Sequence, residues 1–447
     1  MKKFTLILPV LLLCFVTTWS QKIKYEKSFE EAVRLSHEQN KPLSILVTMQ
    51  PPAYVSNFLG ILSNPDVVTK FNANFVNYKV DRSDTSSKTI IRLYNINRFP
   101  SLTFLDSKGG IMLTNQIIIP IPQQLLSLAD QAIDASKEKS LLDFDKEYQS
   151  GVYNAGFLKE YITKRKIAGI TDNASLIENY VNFLSIADLD DYNQVLFILK
   201  AGPIVNSKAY KLAYTNKKII DSIFKTELYE VRVSINNMMI ANTMTSAIAT
   251  KSITTANAAA DLTRTSWGTD YKQGQKSYNL KMLQYYRAIK DTMTFVNTAS
   301  YFYDEYYMNI TADSLKKMDQ VNIERAKSRA HERATLDIPE GGSIQSYSYS
   351  YASNTFANEL NNAAWSFYEI GTKDTTYLTK AMLWSKRSIE LNPIPAYYDT
   401  YAHLLYRLGL YAEAENEQQK AVELTKAEKR EVKQMQEELI KIKNKSL

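Results

Sequence analysis

"NKPLSILVTMQPPAYVSNFLGIL", residues 40–62, decides how the N-terminal region is read. Leu43 to Val47 form an apolar run of strand length, bounded upstream by Asn40-Lys41-Pro42 and downstream by a turn at Pro51-Pro52. Beyond the turn, Val55, Phe58, Leu59 and Leu62, then Val67, Val68 and Phe71, recur at helical spacing and predict a helix over 54–72. Upstream, "SFEEAVRLSHEQ" (28–39) is helical in period and stops at Asn40-Lys41-Pro42. Downstream, "FVNYKVD" (75–81) reads as a strand, "SSKTIIRLYNI" (86–96) as a helix and "SLTFLD" (101–106) as a strand. Ser107-Lys108-Gly109-Gly110 is a hairpin turn into Ile111 to Thr114, and a last helix spans 122–137. The order αβαβαββα calls for a central sheet with helices on both faces.

The ordered set of "NKP" before a buried strand, a turn into a helix, "VD" closing the next strand, and "NRFPSLTFLDSKGG" resembles the thioredoxin-like family. The likeness covers about 25–137 and implies a thioredoxin-like fold with Phe99-Pro100 as a cis peptide. Pro52 and Pro100 lie 48 residues apart, close to the family's interval between active-site turn and cis-proline. Pro52 and Val55 stand where the family has its two cysteines, and Pro51 where a tryptophan is usual. Neither proline nor valine can attack a disulfide, so the family's redox activity does not carry over. The resemblance leaves the loop itself as the candidate site. Phe99, Pro100 and Ser101 would face the turn at Gln50 to Ser56, and Pro52, Tyr54 and Phe99 would offer a small apolar surface. The backbone before the proline would pair with an extended peptide as an added strand.

Composition fits this picture. The chain has 447 residues, 45% hydrophobic and 23% charged, ordinary for a globular protein of several domains. Glycine (13) and proline (12) are scarce, which favours long helices. Residues 1–20 read as a signal peptide: Lys2 and Lys3, an apolar run from Leu6 to Val16, then Thr18-Trp19-Ser20 before Gln21. A retained anchor is the alternative. Cleavage would export the protein to the periplasm or the medium. Cys14 is the only cysteine, so a chain cut before Gln21 has no thiol for disulfide exchange or nucleophilic attack. The net charge of +7 includes Lys2 and Lys3; the remaining +5 over such a length does not point to nucleic acid.

Residues 138–340 are helical in pattern. "FLKEYITKRKIAGI" (157–170) and "ASLIENYVNFLSIADL" (174–189) read as two amphipathic helices. The stretch 235–267, rich in Ala, Thr, Ser and Asn, is either a tightly packed helix of small residues, the favoured reading, or a poorly ordered segment. Residues 279–308 form a helical candidate with aromatics along one face. "GGSIQSYSYSYASN" (341–354) reads as a surface loop or linker. From 355 to 430 an internal repeat appears: Trp365 and Tyr398, Ala381 and Ala414, and Ser388 and Ala421 are each 33 apart. This resembles the tetratricopeptide-repeat family, with Trp365, Ala381 and Pro393 at characteristic positions and Gly371 and Gly409 near the turns. The fold expected is thus an α/β thioredoxin-like domain (21–137) followed by an all-α helical-repeat region. Residues 431–447 carry Val432, Met435, Leu439 and Ile442 on one face, as suits a charged capping helix.

No catalytic or metal-binding motif stands out. His37, His331 and His403 are far apart and read as solvated or packed. "ADLDDYN" (187–193) lacks the glycine and distal glutamate of a calcium loop. There is no G-x-S-x-G elbow and no phosphate loop. The 30 tyrosines would line a groove or, as the preferred reading, pack between helices with the hydroxyl at the wet edge. The expectation is an exported non-catalytic protein, without cofactor, that binds a protein or peptide partner. The alternatives are a thiol–disulfide enzyme borrowing its thiol from a partner, a hydrolase in the unmatched middle, and a holdase.

Overall fold

The computed structural model describes residues 22–49, 60–96, 99–115, 121–151, 153–334 and 351–447. The expected signal segment, the turn with Pro52 and Tyr54, and residues 341–350 of the expected linker lie outside them. The chain divides into two units. The first holds the described residues through Tyr153 together with 163–170; the second holds the rest.

The first unit is built on a mixed four-stranded sheet of β1 (Leu43–Thr48), β2 (Val76–Asp81), β3 (Ser101–Leu105) and β4 (Ile111–Asn115). The order is β2-β1-β3-β4, with β1 and β2 parallel and the other pairs antiparallel. The central strand β1 is buried at every residue, as a largely apolar strand covered on both faces requires. Leu46, Leu102 and Phe104 pack with helices α2 (Pro65–Asn74) and α4 (Pro122–Ala135) on one face. Leu43, Ile45, Val47 and Leu105 pack with α1 (Phe29–Gln39) and α3 (Ser87–Leu93) on the other. Helices therefore cover both faces, as the alternating pattern demands. Helix α5 (Leu141–Gln149) belongs to the same unit.

Helix α1 stops where expected. Asn40 takes the left-handed conformation (φ 48°), and the N–H of Lys41 returns to the Ser36 carbonyl at 3.0 Å. The β3–β4 hairpin turns on Asp106, whose Oδ1 accepts the N–H groups of Lys108 (2.8 Å) and Gly110 (2.9 Å). A Cβ on Gly110 would fall 2.7 Å from Asp106 Oδ2, so a larger residue there would have to displace that carboxylate. The helix expected over 54–72 is not continuous in its described part. Residues 62–64 break it, the Asn64 side chain accepts the N–H groups of Asp66 and Val67, and Pro65 opens α2. Proline at the first helical position lacks the N–H that would be unpaired there, so Asn64-Pro65 makes a start.

The second unit is helical. Helix α6 (Ala155–Ile167) is shared out between the two units, and α7 (Ala174–Tyr180) follows. The expected helix 174–189 ends at Tyr180 and gives way to two 3₁₀ turns. The cause is local: the Ser185 N–H and hydroxyl both donate to the Asp188 carboxylate at 2.7 Å. Then come α8 (Tyr192–Lys200), α9 (Lys208–Ala213), α10 (Lys217–Thr226), α11 (Tyr229–Thr250) and α12 (Ile253–Thr265). The small-residue stretch 235–267 is thus two helices, parted at left-handed Lys251 and restarted by Ser252, whose hydroxyl accepts Thr255 N–H. Ala247, Ala256, Ala259 and Ala260 are fully buried against Met244, Met282 and Tyr285, so the small residues serve close packing.

The aromatic stretch 279–308 is likewise divided among α13 (Tyr271–Ala288), α14 (Thr292–Tyr303) and a π-helical turn at Asp304–Met308. Lys290 (φ 62°) ends the first and Asp291 caps the second. After α15 (Ala312–Ala334), helix α16 (Ala352–Ile370) begins inside the expected linker, taking Ala352 to Asn354. Helices α17 (Thr375–Leu391), α18 (Pro395–Arg407), α19 (Tyr411–Ala427) and α20 (Lys433–Lys443) complete the unit, each packed on the one before. Ala381, Ala414, Ser388 and Ala421, the 33-residue echoes, are all fully buried. The main core joins Phe295, Phe302, Tyr303, Tyr307, Phe356, Phe367 and Trp384. Tyrosine here is chiefly packing material.

Candidate functional site

The loop expected to bind an extended segment lies in the first unit. Phe99-Pro100 is a cis peptide, Pro100 is buried, and Ser101 opens β3 opposite Val47 of β1. The Phe99 ring is half-buried in the core cluster of α1 and α3, with the Arg82 guanidinium 4.8 Å over it. Ser101 is 1% exposed and its hydroxyl has no hydrogen-bond partner among the described residues; Thr103 and Thr114 Oγ1 share that condition. Next to this loop, Thr48 Oγ1 donates to the Asp81 carboxylate at 3.2 Å. The Ser83 hydroxyl (2.6 Å) and N–H (2.9 Å) bond the same carboxylate and hold its pKa below the ordinary aspartate range. Phe99, Pro100 and Ser101 are thus gathered beside the end of β1, whereas Pro52 and Tyr54 lie outside the described residues.

A second site was not legible in the sequence. In the second unit, Trp365 and Tyr368 of α16, Asp399 and His403 of α18, and Gln434, Glu438 and Lys441 of α20 line an open cleft of about 490 Å³. Each helix contributes residues one turn apart, which places them on one face. Trp365 and Tyr368 stack at 4.9 Å, and both meet His403 edge-on, at 5.4 and 5.1 Å. The His403 side chain is 5% exposed. Its Nδ1 lies 2.8 Å from the Asp399 carbonyl oxygen, and Nε2 lies 3.4 Å from Glu438 Oε2. A carbonyl can only accept, so Nδ1 carries a proton.

Two further groups tune this cleft. Burial pushes the Asp399 carboxyl above its ordinary range, while His403 and the Gln418 amide, donating at 2.8 Å, pull it back. Gln418 is fully buried, and its Oε1 has no partner among the described residues. Glu438 also pairs with Lys441 at 2.7 Å, and the Arg407 guanidinium covers Tyr368 at 4.3 Å. The cleft therefore pairs an aromatic wall with a balanced set of charges. Such a surface holds a polar-and-aromatic ligand by stacking and hydrogen bonds.

No protein-family model and no curated protein matches the chain. Among solved structures, it is similar to one described as a DsbH oxidoreductase, at 16% identity and a TM-score of 0.23. The match covers 26% of this chain and 87% of that one.

Among the described residues, no group of three or more His, Cys, Asp or Glu side chains is placed to hold a metal ion. Nor is any described helix long and apolar enough to cross a membrane. His37 is exposed on α1, whereas His403 is packed; the side chain of His331 lies outside what is described. The local signal for the cleft was "DTYAH" (399–403), an acid and a histidine one helical turn apart, but the spacing alone did not separate it from ordinary helical surface.

Proposed function

We propose that this is an exported, non-catalytic recognition protein. In this reading a thioredoxin-like α/β domain and a tetratricopeptide-like helical stack hold protein or peptide partners in cell-envelope assembly or client binding. The observation that carries the reading is the Trp365–Tyr368–His403 cleft. It offers the stacked faces of Trp365 and Tyr368 beside the hydrogen-bonding groups of Asp399, Gln434 and Glu438. Export is supported by Lys2, Lys3 and the apolar run Leu6 to Val16. The non-redox character is supported by Cys14 being the only cysteine in the chain. The unpartnered Ser101 hydroxyl beside β1 supports a second contact point at the Phe99–Ser101 loop.

The test is binding of the protein, expressed from Gln21, to an array of extended peptides, run beside an insulin-reduction assay. Selective binding that Trp365→Ala weakens about tenfold or more is expected, as for loss of an aromatic anchor. Insulin turnover above a blank, or peptide binding indifferent to both Trp365→Ala and a Phe99→Ala variant, would overturn the reading.

A further inference from the structure

The cleft at Trp365 and His403 is balanced in charge as a whole, yet its charges are sorted by depth. The His403, Asp399 and Glu438 side chains are 5%, 19% and 20% exposed, whereas that of Lys441 is 49% exposed. The floor therefore carries two carboxylates and one imidazole, and the ammonium stands at the rim. Lys441 Nζ is also engaged already, donating to Glu438 Oε1 at 2.7 Å. Of the Asp399 oxygens, Oδ1 accepts the Gln418 amide, while Oδ2 lies 3.9 Å from His403 Nδ1, beyond hydrogen-bond reach. Above this floor the partly exposed Trp365 and Tyr368 rings stack on each other. The Arg407 guanidinium, 4.3 Å over Tyr368, shows that this aromatic pair accepts a planar cation on its face.

We propose that this cleft reads an arginine side chain of an extended protein segment; the proposal rests on the recognition role given above and adds what is recognised. A guanidinium is planar, so it stacks on the exposed aromatic surface, and its fork of N–H donors meets the Asp399 and Glu438 carboxylates. A lysine ammonium offers neither plane nor fork, and an acidic side chain would meet two like charges at the floor. The floor is short of positive charge as it stands. Burial, joined by the field of Glu438, pushes the Asp399 carboxyl up, against His403 and the Gln418 amide, which draw it down. An incoming guanidinium supplies the missing charge in surroundings partly closed to water, where such a pair gains most. The net charge of +7 on the chain repels a basic segment at long range, so a preference for arginine has to originate at the site.

The experiment screens the protein expressed from Gln21 against an array of extended peptides, each arginine-containing member beside copies carrying lysine or citrulline in its place. Citrulline keeps the length and plane of arginine and removes its charge. Arginine peptides are expected to bind about tenfold more tightly than their citrulline copies, and several-fold more tightly than the lysine copies. Glu438→Gln and Asp399→Asn, each close in shape to the wild type and checked for fold by circular dichroism, should cut the arginine-to-citrulline ratio several-fold. If one variant loses its fold, the other carries the test. Equal binding of arginine and citrulline peptides, or a ratio that the folded variants leave unchanged, overturns the proposal. Where such binding still depends on Trp365, the recognition role stands without it. A lack of any selective peptide binding sinks both.

Discussion

His403 Nε2 lies 3.4 Å from Glu438 Oε2, and this contact joins α18 to the terminal helix α20. With Nδ1 already donating to the Asp399 carbonyl, the contact is attractive only when a proton lies between imidazole and carboxylate. Glu438→Ala removes that link and is expected to cost about 1 kcal/mol or less locally, as for a partly exposed polar contact. Hydrogen exchange should report it as faster exchange of the amides of Lys433–Lys443. Glu438→Gln should retain protection, since the amide can donate to a neutral Nε2. Equal protection in the alanine variant and the wild type would show that the contact is idle.

Trp384 is fully buried in the main helical core, edge-on to Phe367 at 5.0 Å, and its indole N–H donates to Asp304 at 2.8 Å. Lys380 Nζ pairs with the same carboxylate. Trp384→Phe keeps most of the apolar contact but drops the donor, for an expected loss of about 1–2 kcal/mol. Trp384→Ala opens a cavity as well, for about 3–5 kcal/mol. Urea denaturation of the three proteins should give that order of midpoints.

Asn77 is the polar pin of the α/β unit. Its Oδ1 accepts the Ser44 hydroxyl at 2.7 Å, and its amide donates to the Phe71 and Phe75 carbonyls at 3.3 and 3.4 Å, all buried. Asn77→Ala strands the Ser44 hydroxyl and should destabilise by about 1–3 kcal/mol. Adding Ser44→Ala should recover part of this, so a double-mutant cycle should show non-additivity of about 0.5 kcal/mol or more. Strict additivity would contradict the pairing.

Asp399 sets a pH dependence whose sign is fixed by its raised carboxyl pKa. Between the ordinary aspartate value near 3.8 and the higher folded value, the folded chain binds more protons than the unfolded one. Stability attributable to this group therefore falls as pH rises through that window. Asp399→Asn, which still accepts from Gln418, should remove the slope and be relatively more stable above the window. Urea midpoints measured across the acid range for both proteins test the sign. A wild type whose Asp399-dependent stability rises with pH there would refute it.

Much of the α/β unit was readable because its signals are local and strong. Leu43 to Val47 is apolar at nearly every position, and a strand buried on both faces must be. The cap at Asn40 depends on backbone bonds, and the turn at Asp106 to Gly110 on side-chain bonds, all within a few residues. Helix continuity was misread at Asn64, Ser185, Ser252 and Asp291. At each, a short polar side chain bonds the nearby backbone or a neighbour, while the apolar period runs on across the break and hides it. The 33-residue echo at Ala381 and Ala414 marked where helices pack closely, since only small residues fit there.

The candidate sites divide differently. Phe99, Pro100 and Ser101 are adjacent in the chain, so a loop motif sufficed to find them. Trp365, His403 and Glu438 belong to three helices, and each is unremarkable within its own.

Sequence alone determined that the chain past Cys14 has no sulfur nucleophile, that β1 is buried, and that helices dominate beyond the sheet. Composition and short-range periodicity are enough for these, because they depend on residue type and on neighbours a turn apart. Tertiary structure alone decided that an imidazole stands between the Asp399 carbonyl and the Glu438 carboxylate, and that Lys276 sits over the rings of Tyr307 and Phe356. Those arrangements come from the packing of helices far apart in the chain, and packing across such distances leaves no mark in any single stretch of sequence.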